Sequence, residues 1–260
     1  LDCREEAFSL TPEQMQSLGN RRTGVGFDQL LVIENSPLDG ADARYRIFNQ
    51  DGSSAEHCGN GIRCVAKFLH ERLAGNPRTI VVEIADQTFE LTNLNGGEVR
   101  VDMGPPILEP AAIPTSFGER ALKYTLEVAG QRQELGAVSM GNPHAVFSVD
   151  DVDSAPVEKI GKVLQACEIF PQQVNVGFMQ KLTRNSIRLR VWERGVGETQ
   201  ACGTGACAAV VIGRLWGELD EQVTVMLAGG DLQIAWTGVD TDSVWMTGQA
   251  SYVFEGRMTI

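Results

Sequence analysis

Two short segments of this 260-residue chain pair a nucleophile with nearly bare backbone: Cys58-Gly59-Asn60-Gly61 and Cys202-Gly203-Thr204-Gly205. After the first, Ile62, Val65, Ala66, Phe68 and Leu69 recur at helical spacing, and an apolar helix is predicted after the second as well, so each cysteine should open a helix. A thiol in that position meets unpaired N–H groups at the positive end of the helix dipole, and both favour thiolate. An unperturbed cysteine is only about 3% ionised at pH 7, so even a modest downward shift multiplies the reactive fraction. The glycines keep side chains away from the same amides, which can then also hold a carboxylate.

Several chemistries compete for such a pattern. Zinc sites favour cysteine pairs with two to four residues between them, whereas Cys58 and Cys64 have five between them and Cys202 and Cys207 four, each pair inside one predicted helix, and no metal is expected. A cysteine hydrolase would recruit His144 or His57 as base but leaves the second cysteine without a purpose. A structural disulfide between Cys58 and Cys202 fits poorly with a chain whose six cysteines are too sparse for a secreted scaffold. The remaining option uses both thiols: one as thiolate takes a proton from carbon while the other, as thiol, returns one to the opposite face, which inverts a stereocentre. The two would titrate as a coupled pair.

The elements that must hold these cysteines are legible in outline. Thr11 to Gly19 reads as a short capped helix, and Gln29–Glu34 and Arg44–Phe48 as strands. A loop from Asn49 to Glu56 leads to Cys58, and Thr79–Ile84, Gln87–Leu91 and Val99–Met103 read as a meander. The second half repeats the plan. An offset of 144 positions pairs Cys58 with Cys202, Gly59 with Gly203, Gly61 with Gly205, Phe48 with Trp192, Val101 with Trp245 and Gly104 with Gly248. Gly26, Phe27 and Gln29 find a looser match in Gly177, Phe178 and Gln180. Such a duplication implies an α+β fold of two pseudo-symmetric domains facing a shared cleft. The expected division is 1–102 plus 248–260 for one half and 103–247 for the other, the Pro- and Gly-rich run after Met103 breaking any regular element.

Composition narrows the partners. Thirty-four Asp and Glu against 22 Lys and Arg give a formal charge of −12, which repels nucleic acid. No run is long and apolar enough for a membrane span, and residues 1–30 lack a secretory signal, so a cytoplasmic location with free thiols is expected. The chain opens at Leu1 without Met, as though cut within a strand.

Four blocks in one order carry a family resemblance: Cys58-Gly59-Asn60-Gly61-Ile62-Arg63-Cys64, Met140-Gly141-Asn142-Pro143-His144, Asn175-Val176-Gly177-Phe178, and Glu193-Arg194-Gly195-Val196-Gly197-Glu198-Thr199-Gln200-Ala201-Cys202-Gly203-Thr204-Gly205. From about Arg21 onward the sequence resembles the diaminopimelate epimerases. The resemblance implies two halves, each a mostly antiparallel sheet wrapped around a central helix, with the active site in the interdomain cleft. It implies epimerisation of LL- to meso-2,6-diaminopimelate without pyridoxal phosphate or any other cofactor, on the route to lysine and peptidoglycan precursors. In that family the catalytic thiols match Cys58 and Cys202, and the amides at Gly59, Asn60, Gly203 and Thr204 hold the carboxylate of the reacting centre. Asn49, Asn142, Asn175, Glu193 and Arg194 match residues that grip the substrate's amino and carboxylate groups, with Gln29 as a further contact. His144 and Glu193 match residues that tune the cysteine pair. A homodimer is also implied, with Phe254 standing where the family carries a Tyr at its dimer contact.

Departures define the rivals. Family members usually carry an early Gly-Leu-Gly-Asn-Asp-Phe segment whose Asn contacts substrate, and nothing before Cys3 supplies it. Its lack motivates a silent binding protein on the same scaffold. A racemase or epimerase of proline or hydroxyproline is the other alternative, and it has no distal carboxylate for Arg194 to hold. Cys3, Cys64, Cys167 and Cys207 are read as ordinary residues, with Cys64 and Cys207 as helix core.

Overall fold

The computed structural model describes residues 1–55, 59–84 and 87–256. His57 and Cys58 lie outside the described residues, as does the end of the expected Asn49–Glu56 loop. The chain divides into two compact units, Leu1–Val101 with Gln249–Ile260, and Asp102–Gly248.

The first unit contains helix α1 (Pro12–Gly19), strands β1 (Gln29–Glu34), β2 (Ala43–Asn49) and β3 (Ser54–Ala55), helix α2 (Gly59–Arg72), and strands β4 (Thr79–Ile84), β5 (Gln87–Asn93) and β6 (Glu98–Asp102), the last ending one residue past the division. Thr11 starts α1 with a reciprocal capping box: the Gln14 amide N–H donates to Thr11 Oγ1, and the Thr11 N–H to Gln14 Oε1. The sheet runs β1-β2-β4-β5-β6 with β3 beside β2. All pairs are antiparallel except β2 with β4, because α2 is the crossover between those two strands. The helix buries Ile62, Val65, Ala66 and Leu69, the stripe expected from their spacing. Cys64 faces the other way and is exposed, so it is not a core residue.

In the second unit come β7 (Tyr124–Val128), β8 (Gln131–Ser139), β9 (Pro143–Ser148), α3 (Val157–Gln165), β10 (Asn175–Thr183), β11 (Ser186–Glu193), β12 (Gly197–Thr199), α4 (Gly203–Leu215), β13 (Gln222–Leu227), β14 (Gly230–Ala235) and β15 (Trp245–Gln249), the last ending one residue past the division. Its order is β15-β14-β13-β11-β10-β9-β8-β7, with β12 beside β11. Parallel pairs occur only where a helix crosses over: α3 between β9 and β10, and α4 between β11 and β13. Every residue of α4 from Gly203 to Gly213 is buried, Cys207 included, which requires close approach by its neighbours. Gly136 on β8 provides it, since a Cβ there would stand 2.5 Å from Ile212 Cγ2.

Strand pairing establishes the duplication element by element. Strands β1, β2, β3, β4, β5 and β6 and helix α2 recur as β10, β11, β12, β13, β14, β15 and α4, with the same parallel and antiparallel choices. The 144 spacing holds for Phe48 with Trp192, which face Leu30 and Val176 respectively, and for the starts of α2 and α4. It slips at the last strand: Val101 faces Leu91 while Met246 faces Ile234, so Met246, not Trp245, is the counterpart of Val101. The looser upstream match also fails. Gly26 and Phe27 precede β1, whereas Gly177 and Phe178 lie inside β10, and the register makes Gln29 the counterpart of Asn175 and Asn49 that of Glu193. Even the edge repeats, for Asp2 bridges Ile33 in parallel as Ser148 pairs with Met179.

Mixed α+β architecture is thus as the sequence led us to expect. Among the described residues no helix is long and apolar enough to cross a membrane, and no group of three or more His, Cys, Asp or Glu side chains is disposed to hold a metal ion.

Candidate active site

Cys202 is the N-cap of α4, with extended backbone and a buried side chain. Its sulfur accepts the Gly205 N–H over 3.3 Å and lies 3.6 Å from Thr204 Oγ1. These contacts pull the thiol toward ionisation, as the sequence suggested for a helix start. The net effect is the opposite of that expectation. Burial and then the charge of the nearby Glu193 carboxylate push Cys202 well above the ordinary cysteine range. Both influences favour the protonated thiol at Cys202.

Glu193 ends β11, and its place is fixed from two sides. Gln165 Nε2 on α3 donates to its backbone oxygen over 3.0 Å, and the Thr199 hydroxyl on β12 donates to its Oε1. α3 comes close enough because Gly161 leaves room for Trp192: a Cβ at Gly161 would stand 2.3 Å from Trp192 Cγ.

His144, second residue of β9, is almost fully buried. Its Nε2 lies 2.8 Å from Asn142 Oδ1, and Nδ1 has no hydrogen-bond partner among the described residues. Burial first, and the nearby Arg194 cation second, hold its pKa down to about 3, so the ring is neutral at pH 7. A neutral ring facing an amide oxygen carries its proton on Nε2, which donates to Asn142. Asn175 opens β10 directly beside His144. Its Oδ1 accepts the Arg194 N–H over 2.8 Å and its Nδ2 donates to the Pro143 oxygen over 3.3 Å, while Arg194 Nη1 donates to the Gln172 oxygen. Asn142, His144, Asn175, Glu193, Arg194, Cys202 and Thr204 are linked in this way through one cluster of the second unit.

In the first unit Gln29 stands opposite Asn49 in the β1–β2 ladder, and Asn49 Nδ2 donates to Ser53 Oγ over 3.1 Å. Gly59 and Asn60 form the first turn of α2, immediately after Cys58. Asn60 Oδ1 accepts from Arg63 Nη2 over 3.0 Å, and the buried Arg63 reaches the Gln249 oxygen with Nε.

Sequence reasoning passed over Thr199 and Arg63. Both lie inside the recognised blocks, but an unremarkable residue type gave no sign that its hydrogen bond reaches a neighbouring site residue. The role of Thr204 was also read too narrowly, as backbone only, whereas its hydroxyl faces the Cys202 sulfur.

Comparison with known proteins places this geometry in context. The family model described as diaminopimelate epimerase matches residues 1–109 and 136–253. A protein of Alkalilimnicola ehrlichii named diaminopimelate epimerase is 53% identical over the whole of this chain and 94% of its own length. Among solved structures, a Bacillus anthracis phenazine biosynthesis protein of the PhzF family superposes with a TM-score of 0.66 at 18% identity, covering 100% of this chain and 91% of that one. A probable proline racemase from Agrobacterium radiobacter follows at 0.65 and 16%, covering 92% and 78%. The two structural likenesses establish shared fold alone.

Proposed function

Because the chain belongs to the diaminopimelate epimerase family, we propose that it interconverts LL- and meso-2,6-diaminopimelate by exchanging protons between the substrate's α-carbon and two cysteines, Cys58 and Cys202. The observation that carries the assignment is the 53% identity over the full chain. Proline racemase likeness, at 16%, extends to fold only and does not favour the rival substrate. The silent-binder alternative gains nothing either, since Cys202, Glu193, His144 and Arg194 form an intact cluster.

In the forward direction the Cys58 thiolate takes the α-hydrogen, breaking C–H and forming S–H. Cys202 then gives its proton to the opposite face, leaving its own thiolate, and the reverse reaction exchanges the roles. The protonated state that burial and Glu193 impose on Cys202 supports its part as the acid. Negative charge grows on the substrate carboxylate as the proton leaves, and the amides of Gly59, Asn60, Gly203 and Thr204 at two helix starts stabilise it in the transition state. Arg194 takes the distal carboxylate, with Asn49, Asn142 and Gln29 as further contacts. Asn175 enters this grip through Arg194, whose backbone it holds. No cofactor is assigned a part.

A cytoplasmic location belongs to the same reading, supported by the free thiols of Cys3, Cys64, Cys167 and Cys202. So does a homodimer, supported by the exposed Tyr252, Val253 and Phe254. The substrate is tested by incubating purified protein separately with LL-diaminopimelate and L-proline: formation of the meso isomer with no racemisation of proline is expected, and the reverse pattern rejects the assignment.

A further inference from the structure

We propose that Thr199 is a positioning residue for the reaction: its hydroxyl, donated to Glu193 Oε1, holds that carboxylate against the Cys202 thiol. Three observations carry the idea. First, the β11–β12 hairpin sets Val191 opposite Thr199 and Glu193 opposite Gly197, so the bonded pair spans one short, tightly paired ribbon. Second, the backbone of Glu193 is already pinned by Gln165 and by the Val196 N–H, which leaves its side-chain torsions as the freedom that Thr199 removes. Third, the duplication supplies an internal control. In the first unit β3 pairs with β2 so that Ile47 faces Ala55, making Asn49 the counterpart of Glu193 and Ala55 that of Thr199. At the matching positions the first unit has an amide, Asn49, in place of the carboxylate and Ala55 in place of Thr199, and Asn49 donates to Ser53 instead.

This difference sets the β11–β12 ribbon of the second unit apart from its β2–β3 counterpart. Around Cys202 the polar groups are the Gly205 N–H and Thr204 hydroxyl of α4 and the Glu193 carboxylate of β11, and Glu193 is the charged group set against it among the described residues. The Arg194 cation acts instead on His144 of β9, which is neutral. A carboxylate that drifts from Cys202 would surrender the thiol proton too early, and Thr199 prevents the drift.

The inference rests on the epimerase reading for its link to turnover, but its decisive test does not. Iodoacetamide labelling of Cys202 in the full chain, located by peptide mass and followed across pH, reads the carboxylate's hold without substrate. Glu193→Gln is expected to let Cys202 react at lower pH. Thr199→Val is expected to act in the same direction, with labelling at pH 8 at least about threefold faster than wild type, and Thr199→Ser to restore the wild-type rate. Should the valine variant not fold, Thr199→Ala makes the same comparison. Unchanged or slower labelling in the valine or alanine variant overturns the inference, as does a serine variant as perturbed as valine, the mark of lost packing. In an active enzyme Thr199→Val should lower kcat about tenfold with KM within about twofold. A raised KM with kcat intact counts against it.

Discussion

The Gly205 N–H donates to the Cys202 sulfur over 3.3 Å, and a methyl group built on Gly205 would stand only 3.1 Å from that sulfur and 3.0 Å from Val191 Cγ2. Glycine is required here by proximity, not by backbone angle. The same absence of a side chain lets the sulfur reach the amide and lets α4 lie against β11.

Replacing Gly205 by Ala therefore strains a buried helix start from two sides. The expected cost is about 1–3 kcal/mol of stability, together with a loss of turnover of at least about tenfold as the Cys202 sulfur is displaced. Thermal denaturation and a steady-state assay check both, and an alanine variant with wild-type turnover would show that the sulfur does not need this contact.

His144 governs part of the pH dependence of stability. Its folded pKa of about 3 lies below its unfolded value near 6.5, so the unfolded chain binds the additional proton in that window and stability falls as pH drops from 6.5 toward 3. Denaturant unfolding of His144→Gln, which keeps a donor for Asn142, should show a shallower decline between about pH 4 and 6.5 than wild type. Parallel declines would mean that the ring is not buried in its neutral form.

Arg194 is assigned the distal carboxylate on the strength of its planar fork. Arg194→Lys keeps the charge and loses the paired geometry, so KM for diaminopimelate should rise by about tenfold or more while kcat changes less. An unchanged KM would remove Arg194 from the substrate's far end.

Much of the frame was legible because it rests on local rules. The Thr11 and Pro12 start of α1, the stripe Ile62–Val65–Ala66–Leu69 and the apolar run in Gln29–Glu34 each depend on nearby residues, and each element formed where those patterns placed it. The repeat was visible through its cysteines and glycines, while its true register was not. Hydrogen-bonded pairing, not residue likeness, aligns Gln29 with Asn175 and Val101 with Met246, and pairing partners are distant in sequence. In the candidate site the residue types were legible, but the protonation of Cys202 was not. A helix start argues for thiolate, and only three-dimensional burial together with a carboxylate from another strand reverses the sign. The exposure of Cys64 escaped for a similar reason, since an apolar residue type does not reveal which side of a helix faces the sheet.

The most direct test of two-sided proton exchange is to convert LL-diaminopimelate in heavy water and follow configuration and label together at early times. The meso product should carry deuterium at the inverted carbon while recovered LL substrate remains unlabelled, and both Cys58→Ala and Cys202→Ala should stop the inversion. Equal labelling of substrate and product, or inversion that persists in either alanine variant, would contradict a mechanism built on two thiols.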